Sequence, residues 1–278
     1  MTGIPWDIDA EAALQRVPRL VRPLARRKIE QRVRRAGGGR VRLADYQEAE
    51  ARFQAVRGGR TDQQLEAVLP TDNRPGVPMV VVESCHHEVS ACPNALLDTS
   101  RWRRAVEDWV AAEDISERLR RRLPDGRILF HHKLRIAIAG CPNGCSRPQI
   151  ADLAVVGHLR PVFHAQACTA CGLCAEACPD QAITVDQTAR ADRDLCQGCR
   201  SCAAACEFEA VELPEPWGEV VMGGKLGRHP HLAVRVGLAP EPAQAVELFS
   251  GAVERYLQNA RPGERFAAWW IRSEKGGR

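Results

Sequence analysis

Residues 140–157 read Gly140-Cys-Pro-Asn-Gly-Cys-Ser-Arg-Pro-Gln-Ile-Ala-Asp-Leu-Ala-Val-Val-Gly157. The first half is built from turn formers, and it holds Cys141 and Cys145 close together in one loop. The second half, Leu153-Ala-Val-Val156, is an apolar run of strand length. Just upstream, Leu134-Arg-Ile-Ala-Ile-Ala139 alternates like another strand. The stretch therefore reads as strand, cysteine-bearing loop, strand. Further out, Pro78-Met-Val-Val-Val-Glu83 and Glu219-Val-Val-Met222 are strand candidates. Residues 98–123 are helical in character, and Val246, Phe249, Val253 and Tyr256 recur by threes and fours, predicting a helix over 241–260. Mixed strands and helices predict an α+β fold.

The first sixty residues read as helices. Ala13, Val17, Leu20, Val21 and Leu24 share helical spacing, continued by Ile29 and Val33, with Pro18 and Pro23 starting new turns and Gly37-Gly38-Gly39 ending the run. Asp45 and Glu48 form a capping pair for a second helix with Tyr46, Ala49, Phe53 and Val56 on one face. Residues 57–78, rich in Gly, Pro, Asp and Asn, are a linker, placed between domains at 61–76. The predicted organisation is a helical domain (1–60), an α+β domain in two pieces (77–163 and 214–278), and between them a cysteine-dense insert (164–213).

The net charge of +4 selects no partner, but its distribution is uneven. Residues 1–60 hold 14 Arg/Lys against 7 Asp/Glu, and residues 166–213 hold 3 against 8. Basic residues without interleaved aromatics or a nucleic-acid motif read as a solvated face, so no nucleic-acid partner is expected. No apolar run reaches the roughly 18 residues of a membrane helix, and the first residues carry acids where a signal peptide needs bases. The expectation is a cytoplasmic protein without membrane contact. In that compartment twelve cysteines are metal ligands rather than disulfides.

Cys168, Cys171, Cys174 and Cys178-Pro179 follow the run C-x2-C-x2-C-x3-C-P, and Cys196, Cys199, Cys202 and Cys206 repeat it with Glu207 in place of the proline. Thiolate pairs also bind zinc, but a doubled run is far more specific than a lone pair. The pattern resembles bacterial two-cluster ferredoxins, in which the fourth cysteine of each run ligates the other cubane. That resemblance implies Cys168, Cys171, Cys174 and Cys206 on one [4Fe–4S] cluster, and Cys178, Cys196, Cys199 and Cys202 on a second. Cys85, Cys92, Cys141 and Cys145 remain, the number a third cubane requires.

The string 140–157 closely resembles the signature of the sirohaem nitrite/sulfite reductase family, including the step Asp152-Leu153-Ala154. His132-Lys-Leu-Arg-Ile-Ala-Ile-Ala-Gly140 is similar to that family's strand entering the cluster loop. Gly223-Gly-Lys-Leu-Gly-Arg-His-Pro230 resembles its glycine-rich segment, and Pro262-Gly-Glu-Arg-Phe266 its closing motif. The resemblance covers roughly 77–160 and 207–278, interrupted by the ferredoxin as in dissimilatory and anaerobic sulfite reductase subunits. It implies that Cys145 bridges a cubane to sirohaem iron, that Asn143 lies beside the tetrapyrrole, and that Lys133, Arg147, Lys225 and Arg228 meet its carboxylates or the substrate. His86, His87, His131 and His132 are candidates for proton delivery. Cys85 and Cys92 are separated by six residues where the family usually has five, and the chain matches only the cluster-bearing half of such enzymes. At the N-terminus, Pro5-Trp6, Arg16-Val-Pro18 and Ala25-Arg-Arg-Lys-Ile-Glu30 resemble the small C-terminal domain of the light-independent protochlorophyllide reductase B subunit.

Two functions follow from these resemblances. One is a sulfite- or nitrite-reductase-type subunit that passes electrons through ferredoxin clusters to a cluster–sirohaem centre and reduces a small anion. It would take electrons from a donor protein or flavoprotein, and it would be a homo- or hetero-oligomer whose other copy or subunit completes the pocket. The other is an electron-transfer protein without sirohaem that feeds a partner reductase.

Overall fold

The computed structural model describes residues 4–17, 22–57, 70–85, 91–124 and 126–275, the side chains at 53–57 and 274–275 excepted. Pro18, Leu20, Val21, His86, His87 and the side chains of Phe53 and Val56 lie outside the described residues. Two compact units divide the chain between Val68 and Leu69.

The first unit contains α1 (Ile8–Leu14), α2 (Arg22–Arg35) and α3 (Leu43–Arg57). Ala10, Leu14, Ile29, Val33, Val41 and Tyr46 form its buried core. α2 stops where Gly37 takes a left-handed conformation and Gly38 N–H returns to the Val33 carbonyl at 2.8 Å. Asp45 is not the first cap of α3, because the helix begins two residues earlier. Asp45 instead sits inside the first turn and accepts the Arg42 amide at 2.8 Å. Trp6 donates its indole N–H to Glu30 at 3.1 Å, and Arg26 lies over the Trp6 ring while pairing with Glu11 at 2.7 Å. The tryptophan and the Ala25–Glu30 run that carry the N-terminal resemblance thus hold this small core together.

The second unit is built on five strands: β2 (Val80–Ser84), β4 (Leu134–Ala139), β5 (Leu153–His158), β10 (Trp217–Met222) and β11 (Val234–Ala239), numbered with the short strands β1 (Thr71–Asp72), β3 (Arg127–Ile128), β6 (Val162–Phe163), β7 (Ile183–Val185), β8 (Ala189–Ala191) and β9 (Val211–Glu212). The sheet order is β11-β10-β5-β4-β2, with β2, β4 and β5 parallel and β10 antiparallel to both its neighbours. β1 pairs with β3, so part of the stretch read as linker belongs to this unit.

Leu134, Ile136, Ile138, Leu153, Val155, Val220 and Met222 point to one face and are buried. Each such side chain contributes about 1.5–3 kcal/mol. Two long helices belong to the same core. α4 (Thr99–Ala112) buries Trp102, Val106 and Trp109 at helical spacing, and its N-cap Asp98 accepts the Ser100 amide at 3.0 Å. The run read as one helix breaks at Asp114, which is left-handed, and α5 (Ile115–Arg120) follows. With α6 (Leu173–Glu176) and α7 (Ser201–Ala204) in the cysteine-dense segment, the next long helix is α8 (Pro242–Asn259). It carries Phe249 to within 6.4 Å of the Trp109 ring. α9 (Phe266–Lys275) adds Trp269 and Trp270. The opposite sheet face is small: Ala137, Ala154 and Val221 are buried there with Ala151. This lets backbone approach closely.

Candidate metal centres

The parallel strands β2 and β4 end side by side, Ser84 opposite Ile138, and both run straight into cysteine loops. Cys85 N–H donates to the Ile138 carbonyl at 2.9 Å, and Gly140 N–H donates to Cys85 Sγ at 3.3 Å. The Gly140 carbonyl accepts the amides of Leu96 at 2.7 Å and Leu97 at 3.1 Å, stitching the loop after Cys92 to the start of the loop that bears Cys141 and Cys145. Gly157 allows this: a Cβ there would lie 2.2 Å from the Gly140 oxygen. Burial pushes the Cys141 thiol up, and Cys85, Cys92 and Cys145 are near enough to raise it further. The four cysteines therefore come together at the carboxyl ends of parallel strands, the usual place for a ligand in such sheets.

Along 143–149 exposure alternates. Gly144, Ser146 and Pro148 are buried, while Asn143, Cys145, Arg147 and Gln149 are exposed. Ser146 is anchored inward by its hydroxyl, which donates to the Ile138 carbonyl at 2.9 Å. Asn143, Cys145 and Arg147 consequently share the open side of the loop. After β10 the chain doubles back beside them. Gly224 would place a Cβ 2.5 Å from the Gln149 oxygen, and Ala233 N–H donates to that same oxygen at 2.8 Å. Lys225 and His231 bond each other's backbones, and Arg228 is exposed at the tip of this turn.

Lys133 and the histidine pair are elsewhere. Lys133 is 4% exposed at the amino end of β4, and burial lowers its pKa. Six strand residues separate it from Gly140, roughly 20 Å at strand rise. His131 and His132 stack edge to face at that same end, and burial lowers His132. The structure does not bring these three to the thiols.

In the cysteine-dense segment two pockets are each lined by four thiols. The first takes Cys168, Cys171, Cys174 and Cys206, and the second Cys178, Cys196, Cys199 and Cys202. Ala182 N–H donates to Cys178 Sγ and Ala210 N–H to Cys206 Sγ, both at 3.3 Å, while Ala189 N–H donates to Cys168 Sγ at 3.4 Å. Burial pushes Cys202 up to about 11, and burial followed by its thiol neighbours also raises Cys174 and Cys196. Thiolates in such company need a cation to stay charged, and N–H···S bonds tune the potential of an iron–sulfur group. Among the described residues, no three His, Cys, Asp or Glu side chains converge as a single ion requires. Four thiols spread around a pocket suit a cage of four irons instead.

Sequence reasoning missed Ser146, Gly157 and Gln149, which position the third loop without any ligand chemistry of their own. It also passed over Arg200, whose Nη2 donates to the Pro93 carbonyl at 2.6 Å. Among the described residues, no helix is long and apolar enough to cross a membrane.

Residues 79–273 match the family described as nitrite and sulphite reductase 4Fe-4S domain, and residues 6–50 match the proto-chlorophyllide reductase 57 kD subunit family. The chain is 38% identical over 138 residues to a coenzyme F420-dependent sulfite reductase of Methanocaldococcus jannaschii, covering 49% of this chain and 20% of that protein. It is 38% identical over 52 residues to a subunit of the anaerobic sulfite reductase of Salmonella typhimurium, covering 19% and 15%. The chain thus spans a fifth or less of the length of these relatives. A crystal structure of dissimilatory sulfite reductase I is similar at a TM-score of 0.48 and 17% identity, covering 84% of this chain and 56% of that one.

Proposed function

The chain belongs to the nitrite and sulphite reductase 4Fe-4S domain family, and on that premise we propose that it is an iron–sulfur oxidoreductase subunit of the sulfite or nitrite reductase type. The observation that carries this reading is Cys145, which belongs to a thiol quartet yet lies on the open side of its loop with Asn143 and Arg147. A thiol so placed can serve a cubane on one side and a second group on the other.

The twelve cysteines hold three [4Fe–4S] clusters in this reading, in the quartets Cys85/Cys92/Cys141/Cys145, Cys168/Cys171/Cys174/Cys206 and Cys178/Cys196/Cys199/Cys202. When bound, the clusters supply electron transfer, and sirohaem at Cys145 supplies the metal at which a small sulfur or nitrogen oxyanion is reduced. Arg147, Lys225 and Arg228 provide positive charge beside Cys145 for the carboxylates of the tetrapyrrole and for the anion. Gly224 keeps the turn that carries Lys225 and Arg228 against Gln149. Lys133 has no part here, because β4 separates it from the thiols. A donor protein or flavoprotein supplies electrons, and a second copy or another subunit closes the open side of the loop.

The test is an anaerobic absorption spectrum, with tetrapyrrole extraction, of protein made in cells that synthesise sirohaem. A Soret band and a red-region band over the broad cluster absorption are expected. Cluster absorption alone would sink the reductase reading and leave an electron-transfer protein that feeds a partner reductase.

A further inference from the structure

The two cysteine loops of the dense segment repeat at an interval of 28 residues, from Cys168 to Cys196 and from Cys178 to Cys206. Their backbones repeat as well. Left-handed residues fall at Ala170 and Gly198, at Gly172 and Arg200, and at Gln181 and Glu209. Two of these pairs exchange a glycine for another residue, and in both the second loop meets chain outside the cysteine-dense segment. Gly198 stands where the first loop has Ala170, and a Cβ at Gly198 would lie 2.4 Å from the Leu159 carbonyl oxygen. Arg200 stands where the first loop has Gly172, and its guanidinium donates to the Pro93 carbonyl at 2.6 Å.

The positions of these contacts give them meaning. Leu159 directly follows β5. Arg200 directly follows Cys199, and Pro93 directly follows Cys92. One hydrogen bond therefore joins the residue after a thiol of one quartet to the residue after a thiol of another. A left-handed arginine is costly where the equivalent position holds glycine, so its side chain offsets a backbone penalty. The first loop has neither feature. Its pocket is instead lined by Leu173 and Phe208, which are 38% and 47% exposed.

We propose that Arg200 is a positioning residue that clamps the second cysteine loop to the Cys92 loop and sets the spacing between their two thiol quartets. The Cys178/Cys196/Cys199/Cys202 quartet is then the inner one, beside Cys85/Cys92/Cys141/Cys145, and the Cys168 quartet is the outer one. This rests on the three-cluster reading above, and the test separates the two.

Arg200→Ala, Arg200→Lys and the control Ala170→Gly are compared with the wild-type chain, all cluster-loaded. Iron content, thermal transition, the midpoint potential of each cluster, the spin–spin broadening of the fully reduced electron paramagnetic resonance spectrum, and amide exchange at Leu96 and Leu97 are measured. Arg200→Ala should keep its iron but lose the broadening between inner and third clusters. It should also lower the potential of the inner cluster alone, because a positive charge beside it is gone, and speed exchange at Leu96 and Leu97. Arg200→Lys should restore the potential and part of the broadening, and Ala170→Gly should leave the potentials, the broadening and the exchange at Leu96 and Leu97 unchanged. Unchanged broadening and exchange in Arg200→Ala, or an equal change at the outer cluster, would overturn the clamp. A wild type with only eight irons would defeat the third cluster separately, and the exchange rates would still decide whether Arg200 ties the loops.

Discussion

The Asp152 carboxylate accepts the Ala267 amide at 3.3 Å through one oxygen and the Arg135 amide at 2.9 Å through the other. One buried side chain thereby joins the start of β5, the second residue of β4 and the first turn of α9. Its neighbours explain the step Asp152-Leu153-Ala154 structurally: Leu153 fills the helix-side core and Ala154 the small face. Asp152→Ala should orphan two amides, at about 1–3 kcal/mol each, in denaturant unfolding.

Asp152 also sets a pH dependence. Burial raises its pKa despite the two amides, so the folded protein holds this proton more tightly than the unfolded chain. That contribution is complete below the unfolded carboxyl value and is lost as pH rises through the raised folded value. The stability of the wild type relative to Asp152→Asn should therefore fall as pH is raised above the ordinary carboxyl range, measured by chemical denaturation. A gap that widens in favour of the wild type with rising pH would contradict the assignment.

Two glycine-to-alanine substitutions should have opposite signs. Gly157→Ala would drive a methyl group into the Gly140 carbonyl, which cannot retreat without releasing Leu96 and Leu97. On the three-cluster reading, the chain should lose the iron of the Cys85/Cys92/Cys141/Cys145 quartet and keep that of the other two. Gly251→Ala lies on an exposed face of α8 with nothing within 4 Å of the new methyl. It should stabilise the fold by about 0.4–1 kcal/mol. Equal iron content and equal melting in both variants would refute the packing argument.

The cysteine-dense segment leaves and rejoins the sheet through a narrow neck, where Phe163 pairs with Val211 and Val162 with Glu212. Replacing 164–210 by a short Gly-Ser turn should keep the sheet and a one-cluster signal of about four irons. The lost contacts at Leu159 and Pro93 should appear as faster amide exchange at Leu96 and Leu97. A variant that cannot fold would make the segment part of the core instead.

Local periodicity located much of the sheet. The run Leu134–Ala139 is a strand to the residue, and the helix expected over 241–260 is Pro242–Asn259, because large apolar side chains there face one way at a fixed period. β11 escaped notice: it is an edge strand with Val234 and Leu238 exposed, so burial left no clear alternation. α9 was legible only as the motif before it, Pro262–Phe266, since its aromatics crowd two adjacent positions, Trp269 and Trp270. The ferredoxin resemblance groups the thiols of the insert, and two pockets are lined by those same fours, whereas no such resemblance marks their supports. Arg200 and Pro93 are 107 residues apart, and no local pattern encodes such a contact. A signal did exist in the 28-residue repeat, which has arginine where its first copy has glycine.

Cys145 carries the last prediction. It ends the loop Cys141-Pro-Asn-Gly-Cys145 and is exposed, while Cys141 beside it is part-buried. On the reductase reading, Cys145→Ser replaces a soft thiolate with a hydroxyl that ionises far less readily, so the Cys85/Cys92/Cys141/Cys145 quartet would lose one ligand for its cubane and the thiol that would hold sirohaem. Iron and any tetrapyrrole absorption should fall together, with the eight cysteines of 168–206 still holding their clusters. Cys171→Ser is the matched control: its thiol is also exposed but lines the first pocket, so it should damage the outer cluster and leave any tetrapyrrole bands in place. Anaerobic spectra and iron analysis of both variants beside the wild type separate the cases. If Cys145→Ser keeps full tetrapyrrole absorption, the bridge lies elsewhere, and Cys145 serves the cubane alone.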